Sequence, residues 1–184
     1  MKKSFDYFKT FKEMSLSISR AFSCTVSGTE FKKEIIQFSG MKAELSENLI
    51  NDFVAPIERN DIYKLSFCLN EELLQVVNLF DFVKLSDFNS FVFIGQIGDL
   101  FNKQNNVFEM LGNLKTPEKT IKSVSENLLL CKSVRKLIHN EVVVLLQSTK
   151  QPLIKYSVCS DFLGLLRSLE TTFCEIERVV INNN

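Results

Sequence analysis

Few side chains in this sequence are of the types that perform covalent or metal chemistry, and their spacing favours neither. His139 is the single histidine among 184 residues, and Glu141 near it completes neither a nucleophilic triad nor a zinc ligand set. The five cysteines form no CxxC pair, and most fall on or beside apolar stripes: Cys24, Cys68, Cys131, Cys159 and Cys174. We therefore expect reduced, buried, structural thiols, as in a cytosolic protein, and no catalytic residue.

Nucleotides and nucleic acids have no evident site either. The segment Gly95-Gln-Ile-Gly98 lacks the glycine spacing and the lysine of a phosphate-binding loop. Lys plus Arg equals Asp plus Glu at 22 each, so no net positive field attracts nucleic acid. The sequence thus predicts no cofactor and no nucleic-acid partner.

Lysines give the N-terminal part of the chain a basic character. Lys9, Lys12, Lys32 and Lys33 are expected near one another, on the exposed faces of a helical hairpin. Such a surface can attract a partner protein or anionic lipid. The four lysines are therefore candidates for partner binding, and an ordinary solvated face is the alternative interpretation.

The elements that would position these side chains are helices. Apolar residues recur at intervals of three and four, the period of one helix face. The clearest ladder follows Pro56: Ile62, Leu65, Leu69, Leu73, Val76, Phe80 and Val83. A second ladder follows Pro152: Ile154, Val158, Phe162, Leu165, Leu169, Phe173, Ile176 and Val180. Because proline disfavours helix in the residue before it, each proline should separate two helices.

The full pattern predicts an all-α, six-helix bundle with essentially no sheet. Breaks are expected near Gly28, Pro56, Ser86, Gly112 and Pro152. Ser27-Gly28-Thr29-Glu30 has the form of a capping box for the second helix. Thr116-Pro117-Glu118 has the residue types of a helix start. No signal peptide is evident, and no stretch reaches the roughly 18 apolar residues of a membrane span, so we expect a soluble protein of one domain, 1–184.

A fixed offset of 96 indicates an internal duplication. It carries Pro56 to Pro152, Phe38 to Val134 and Leu69 to Leu165, so apolar positions fall on apolar positions. Two three-helix repeats, about 1–86 and 87–184, would bury their apolar faces against each other. The alternative is that any two amphipathic helices align at some offset.

The stretch Phe53-Val-Ala-Pro-Ile-Glu-Arg-Asn-Asp-Ile62 resembles the PhoU-like family. The closer likeness is to its subfamily of phosphate-transport accessory proteins, which typically shows F-I-T-P-I-D-R-E-D-I at this place. The opening Phe5-Asp6-Tyr7-Phe8-Lys9-Thr10-Phe11-Lys12-Glu13-Met14 is also similar to its first helix. The resemblance implies an elongated all-α bundle without enzymatic activity that assists or regulates phosphate uptake, with a Pit-type phosphate transporter as partner.

The resemblance also implies carboxylate pairs four residues apart that bind metal cations, and here this chain departs from the family. Counting from the two prolines, the expected positions hold Ile35, Ser39, Asn70, Leu74, Cys131, Arg135, Leu166 and Glu170. Only Glu170 is acidic, and Arg135 would repel a cation. We therefore expect no metal site. The alternative is that the ligands lie elsewhere, for example at Glu44, Glu47, Glu71 and Glu170.

Together these observations predict a non-enzymatic regulator or accessory protein of inorganic phosphate transport that acts by protein–protein contact and without bound metal. We expect it in the cytoplasm, with at most a peripheral association with the inner face of the cell membrane. A homo-oligomer is also allowed. The first alternative is a diverged helical scaffold with another partner. The second is a cation-binding PhoU-like regulator.

Overall fold

The computed structural model describes residues 5–51, 55–83, 91–112, 116–147 and 152–183. Within these ranges the chain forms six helices and no strand, so the predicted all-α class is confirmed. The helices are α1 (Tyr7–Ser27), α2 (Lys32–Asn51), α3 (Arg59–Val83), α4 (Ile94–Leu111), α5 (Pro117–Leu146) and α6 (Pro152–Asn182).

The first connection shows how local chemistry ends one helix and starts the next. Gly28 adopts φ +70°, a left-handed conformation that glycine tolerates, and its N–H bonds to the Cys24 and Thr25 carbonyls. The predicted capping box is wrong. Ser27 closes α1 instead, since its hydroxyl donates to the carbonyls of Ser23 and Cys24. α2 begins later, and the carbonyl of Phe31 accepts from Glu34 and Ile35.

Most predicted breaks are confirmed. α2 ends at Asn51 and α3 begins at Arg59, so Pro56 lies between them. Gly112 follows the last residue of α4, and Pro117 and Pro152 open α5 and α6, where their missing N–H groups have no helical role. The predicted boundary near Ser86 lies outside the described residues.

Four helices build the centre of the bundle, and two flank it. α1 packs against α3 and α4, and α3 packs against α6. α2 covers α1, while α5 covers α4 and α6. α3 and α6 are antiparallel, because Asp61 near the start of α3 meets Arg178 near the end of α6. The predicted ladders supply the core, and Leu65, Leu69, Leu165 and Leu169 are all fully buried.

The two-repeat arrangement stays a prediction. The offset of 96 carries Asn51 at the end of α2 to Gln147, just after α5, and carries Arg59 at the start of α3 to Lys155 in α6. It carries Ser27 at the end of α1 to Ser123, inside α5. The flanking helices also differ, because α5 packs extensively on α6 whereas α2 makes only slight contact with α3.

In the part of the chain that the structure describes, no helix combines the length and the apolar character needed to cross a membrane.

Candidate interaction surfaces

A cluster of polar side chains lies at the centre of the four-helix core. Glu72 of α3 is fully buried, and its Oε1 accepts hydrogen bonds from Gln104 Nε2 at 2.7 Å and from Thr172 Oγ1. Gln104 Oε1 in turn accepts from Ser15 Oγ at 3.3 Å. The cluster therefore joins α1, α3, α4 and α6 at one level of the bundle.

Helical register explains why these polar groups are inside. Glu72 lies three residues after Leu69 and four before Val76, so it occupies the apolar stripe of α3. Gln104 follows Phe101 and precedes Phe108 in the same way on α4. The bundle buries whatever stands at these positions, and each buried polar group then needs a partner.

The environment of Glu72 changes its acidity. Burial raises its pKa from 4.5 to about 8, against the lowering effect of the hydrogen bonds from Thr172 and Gln104. Its second oxygen, Oε2, is buried and makes no hydrogen bond within the described residues. A proton on this carboxyl is thus favoured at neutral pH, because it removes the charge from the apolar core.

A second buried acid fixes the axial register of α3 against α6. Asp61 is fully buried, and its Oδ1 accepts from Arg178 Nη2 at 2.7 Å. Arg178 also donates from Nε to Glu175 at 2.8 Å, so one guanidinium serves two carboxylates. The positions of other residues along the axes of α3 and α6 can be counted from this pair.

An open groove of about 530 Å³ runs along the outer side of α3 and α6. Tyr63 and Phe67, 65% and 54% exposed, form its aromatic side on α3. Charged groups from both helices also line it: Lys64, Glu71, Arg167 and Glu175. Exposed aromatic rings beside charges of both signs are typical of a surface for another macromolecule.

One end of the bundle exposes further apolar side chains, and we call it the apolar end. It is the end where α2 and α4 begin and α5 ends, as shown by the ring contacts of Phe31 with Phe80 and of Phe93 with Phe162. Its exposed members come from four segments: Ile36, Val92, Val143, Val144, Leu146, Leu153 and Tyr156.

The structure separates the four candidate lysines into two pairs. Lys9 and Lys12 lie in the first two turns of α1, and Lys12 pairs with Glu109 at 3.2 Å. Lys32 and Lys33 open α2, beyond the far end of α1, and both are exposed. Fifteen residues of helix, roughly 22 Å, separate Lys12 from Ser27, so the expected proximity of the four lysines is wrong.

The positions at which the resemblance to PhoU-like proteins implied carboxylate pairs do not form an acidic site. Arg135 is ion-paired with Glu170, and Asn70 accepts from Lys42 at 2.7 Å. Cys131 and Leu166 are buried in the core, whereas Ile35 is half-buried. Ser39 and Leu74 are exposed.

The alternative ligand set is also dispersed. Glu44 and Glu47 are exposed on α2, Glu71 lines the groove, and Glu170 pairs with Arg135. Across the residues described here, no three His, Cys, Asp or Glu side chains are grouped so that they could hold a metal ion.

Thiol and imidazole chemistry find little support in the geometry. All five cysteines are unpaired, and three are buried. Burial raises the pKa of Cys68 and Cys131 to about 12 and that of Cys159 to about 11, which disfavours the nucleophilic thiolate. His139 is exposed on α5.

Comparison with protein-family models found no match, and comparison with curated proteins found none either.

Proposed function

We propose that this protein is a non-enzymatic accessory or regulator of inorganic phosphate transport that acts by protein–protein contact. The partner, a Pit-type phosphate transporter, comes from the resemblance of residues 53–62 to PhoU-like accessory proteins. The observation that supports a contact function is the apolar end, where side chains of core type are left in solvent.

Several apolar side chains at this end are largely exposed to solvent. Leu153 is 81% exposed, Val92 78% and Ile36 72%. Single exposed apolar side chains are common, but seven at one end, half of the exposed large hydrophobic residues described, are typical of a surface that meets another protein or a membrane. An elongated bundle that docks by its end can reach a membrane protein without entering the bilayer.

Charge at the same end fits such a partner. Lys32 and Lys33 start α2, so they lie at the level of the apolar end, whereas Lys9 and Lys12 lie at the other end. Two exposed lysines beside apolar side chains would meet acidic loops or the anionic inner leaflet that surrounds a transporter. We therefore assign the contact to Lys32 and Lys33 and leave Lys9 and Lys12 outside it.

The buried positions of four reactive side chains support the non-enzymatic character of this proposal. The Glu72 carboxyl is enclosed in the core, and the thiols of Cys68, Cys131 and Cys159 are buried with raised pKa values. A general acid or a nucleophile must reach its substrate within hydrogen-bond distance.

Co-purification from native membranes tests the proposal. Tagged wild-type protein should recover a phosphate transporter, and the double variant Lys32→Glu with Lys33→Glu should recover much less. Leu153→Ser should also reduce recovery. Matched controls are Lys132→Glu with Lys136→Glu and Leu129→Ser, which change exposed residues of α5 away from the apolar end.

Two outcomes would contradict the proposal. Recovery of an unrelated protein through the apolar end would support the alternative of a diverged scaffold with another partner. Phosphate uptake that is unchanged when the gene is deleted would exclude a role in transport.

A further inference from the structure

We propose that the α3–α6 groove is the interface of a symmetric homodimer, in which α3 packs antiparallel to α3 of a second copy. This inference concerns a different surface from the apolar end and does not depend on the transporter partner. It is carried by the arrangement of four charged side chains around Phe67.

The positions of the four charges along the bundle axis can be counted from the Asp61–Arg178 pair, which fixes α3 against α6. Lys64 lies three residues beyond Asp61, and Glu175 lies three residues before Arg178, so both are about 4.5 Å from the pair along the bundle. Glu71 and Arg167 are ten and eleven residues away from it, about 15–17 Å along the bundle. Each level of the groove therefore carries one positive and one negative side chain.

This alternation makes the surface complementary to itself. A two-fold axis that crosses the helices at the level of Phe67 places α3 on α3 and α6 on α6 in opposite directions. Lys64 of each copy then faces Glu71 of the other, and Arg167 faces Glu175. Like charges would meet if the alternation were absent, so the pattern favours this partner over a surface of one sign. Glu175 keeps its contact with Arg178 in the same chain.

The aromatic residues select this orientation of the second copy. Phe67 lies three residues after Lys64 and four before Glu71, close to their midpoint, so the axis brings the two Phe67 rings together near the centre of the interface. Tyr63 packs one turn away on each side. If α3 instead lay on α6 of the second copy, Phe67 would face Thr171, and the aromatic pair would be lost.

The side of α3 that bears Tyr63 and Phe67 is only partly covered within the described residues, where Lys42, Ser46 and Leu49 of α2 line a small cleft beside it. α2 makes only slight contact with α3, whereas α5 packs along α6. A second copy would bury the parts of Tyr63 and Phe67 that α2 leaves exposed.

Charge exchange within α3 tests the proposal. Sedimentation equilibrium of the wild-type chain should give a dimer whose dissociation depends on concentration and salt. Lys64→Glu alone and Glu71→Lys alone should each raise the dimer Kd at least about tenfold, equivalent to roughly 1.4 kcal/mol. The double variant Lys64→Glu with Glu71→Lys should restore the dimer, because the exchanged charges face each other again across the axis.

Controls separate the interface from general effects of charge. Lys119 and Glu126 of α5 have the same seven-residue spacing and are both exposed, so their reversal should leave the Kd unchanged. Phe67→Ser should abolish the dimer while circular dichroism shows a folded, helical monomer. A monomeric wild-type protein at all concentrations, or an exchanged double variant that remains monomeric, would overturn the proposal. Neither result would bear on transporter recovery through the apolar end.

Discussion

Gln104 Nε2 of α4 donates a 2.7 Å hydrogen bond to Glu72 Oε1 of α3, and both residues are fully buried. The side-chain oxygen Gln104 Oε1 accepts from Ser15 Oγ on α1, so one side-chain amide links three helices through the middle of the core. A carboxyl at the centre of this contact makes the stability of the bundle sensitive to pH.

We expect stability to fall as pH rises through the range in which Glu72 loses its proton. Its pKa is raised from 4.5 to about 8 in the folded chain, so between these values the folded state holds a proton that the unfolded state has released. The stabilisation that protonated Glu72 gives to the folded state is fully present below pH 4.5 and is lost as pH rises through about 8. At about 1.4 kcal/mol per pKa unit, the effect is several kcal/mol.

The variant Glu72→Gln tests whether Glu72 causes this pH dependence of stability. The amide cannot ionise, so urea unfolding should show a smaller decrease in stability between about pH 5 and pH 9 than in the wild-type chain. Glu44→Gln, an exposed change on α2, is the control. Equal pH dependence in the wild type and Glu72→Gln would show that Glu72 is not the responsible group.

Core leucines on the two ladders should tolerate truncation poorly. Leu69 and Leu165 are fully buried, and changing either to alanine should lower the free energy of unfolding by about 2–5 kcal/mol. Leu129, 65% exposed on α5, is the matched control and should change stability by less than about 0.5 kcal/mol. Denaturant midpoints that do not shift for Leu69→Ala would contradict the packing of α3.

Replacement by alanine should change the stability of the fold in opposite directions at two glycines. Gly28 has φ +70°, so Gly28→Ala should destabilise the chain by about 1–2 kcal/mol. Gly40 is inside α2 with no heavy atom within 4 Å of an added Cβ, so Gly40→Ala should stabilise by about 0.5–1 kcal/mol. Thermal unfolding monitored by circular dichroism distinguishes the two. A loss at Gly40 would mean that its surroundings are more crowded than the structure indicates.

We expect the purified protein to carry no stoichiometric transition metal. Arg135 is already paired with Glu170, and Leu166 and Cys131 offer no hard oxygen ligand. Addition of iron or zinc should leave the melting temperature unchanged, because a ligand stabilises the fold only when it binds the native state. Elemental analysis that finds one metal per chain would favour the cation-binding alternative.

How much the sequence predicts depends on whether a feature is local. The period of the apolar residues identified the helices and most of the core, and glycine and proline marked most of the ends, because these signals act within one or two turns. The capping box at Ser27 failed because the same hydroxyl can equally donate to the preceding turn.

The central polar cluster was missed, although part of its signal is visible. Glu72, Gln104 and Thr172 each stand at a three- or four-residue step from apolar core positions, so each could be predicted as buried. That the three meet depends on the axial levels of separate helices, which no local pattern encodes. The separation of Lys32 and Lys33 from Lys9 and Lys12 follows from the uninterrupted length of α1, which the sequence did indicate.

The hydrogen bond between Glu72 and Thr172 joins residues that are 100 positions apart, and this has a consequence for the order of folding. Contacts between α5 and α6, such as Arg135 with Glu170, close a much shorter segment and lose less chain entropy. We expect the α5–α6 hairpin to form before the rate-limiting step and the central cluster to close after it. Val134→Ala should therefore slow folding, whereas Thr172→Val should mainly accelerate unfolding. Chevron plots that assign both changes to the folding limb would place the cluster in the folding nucleus instead.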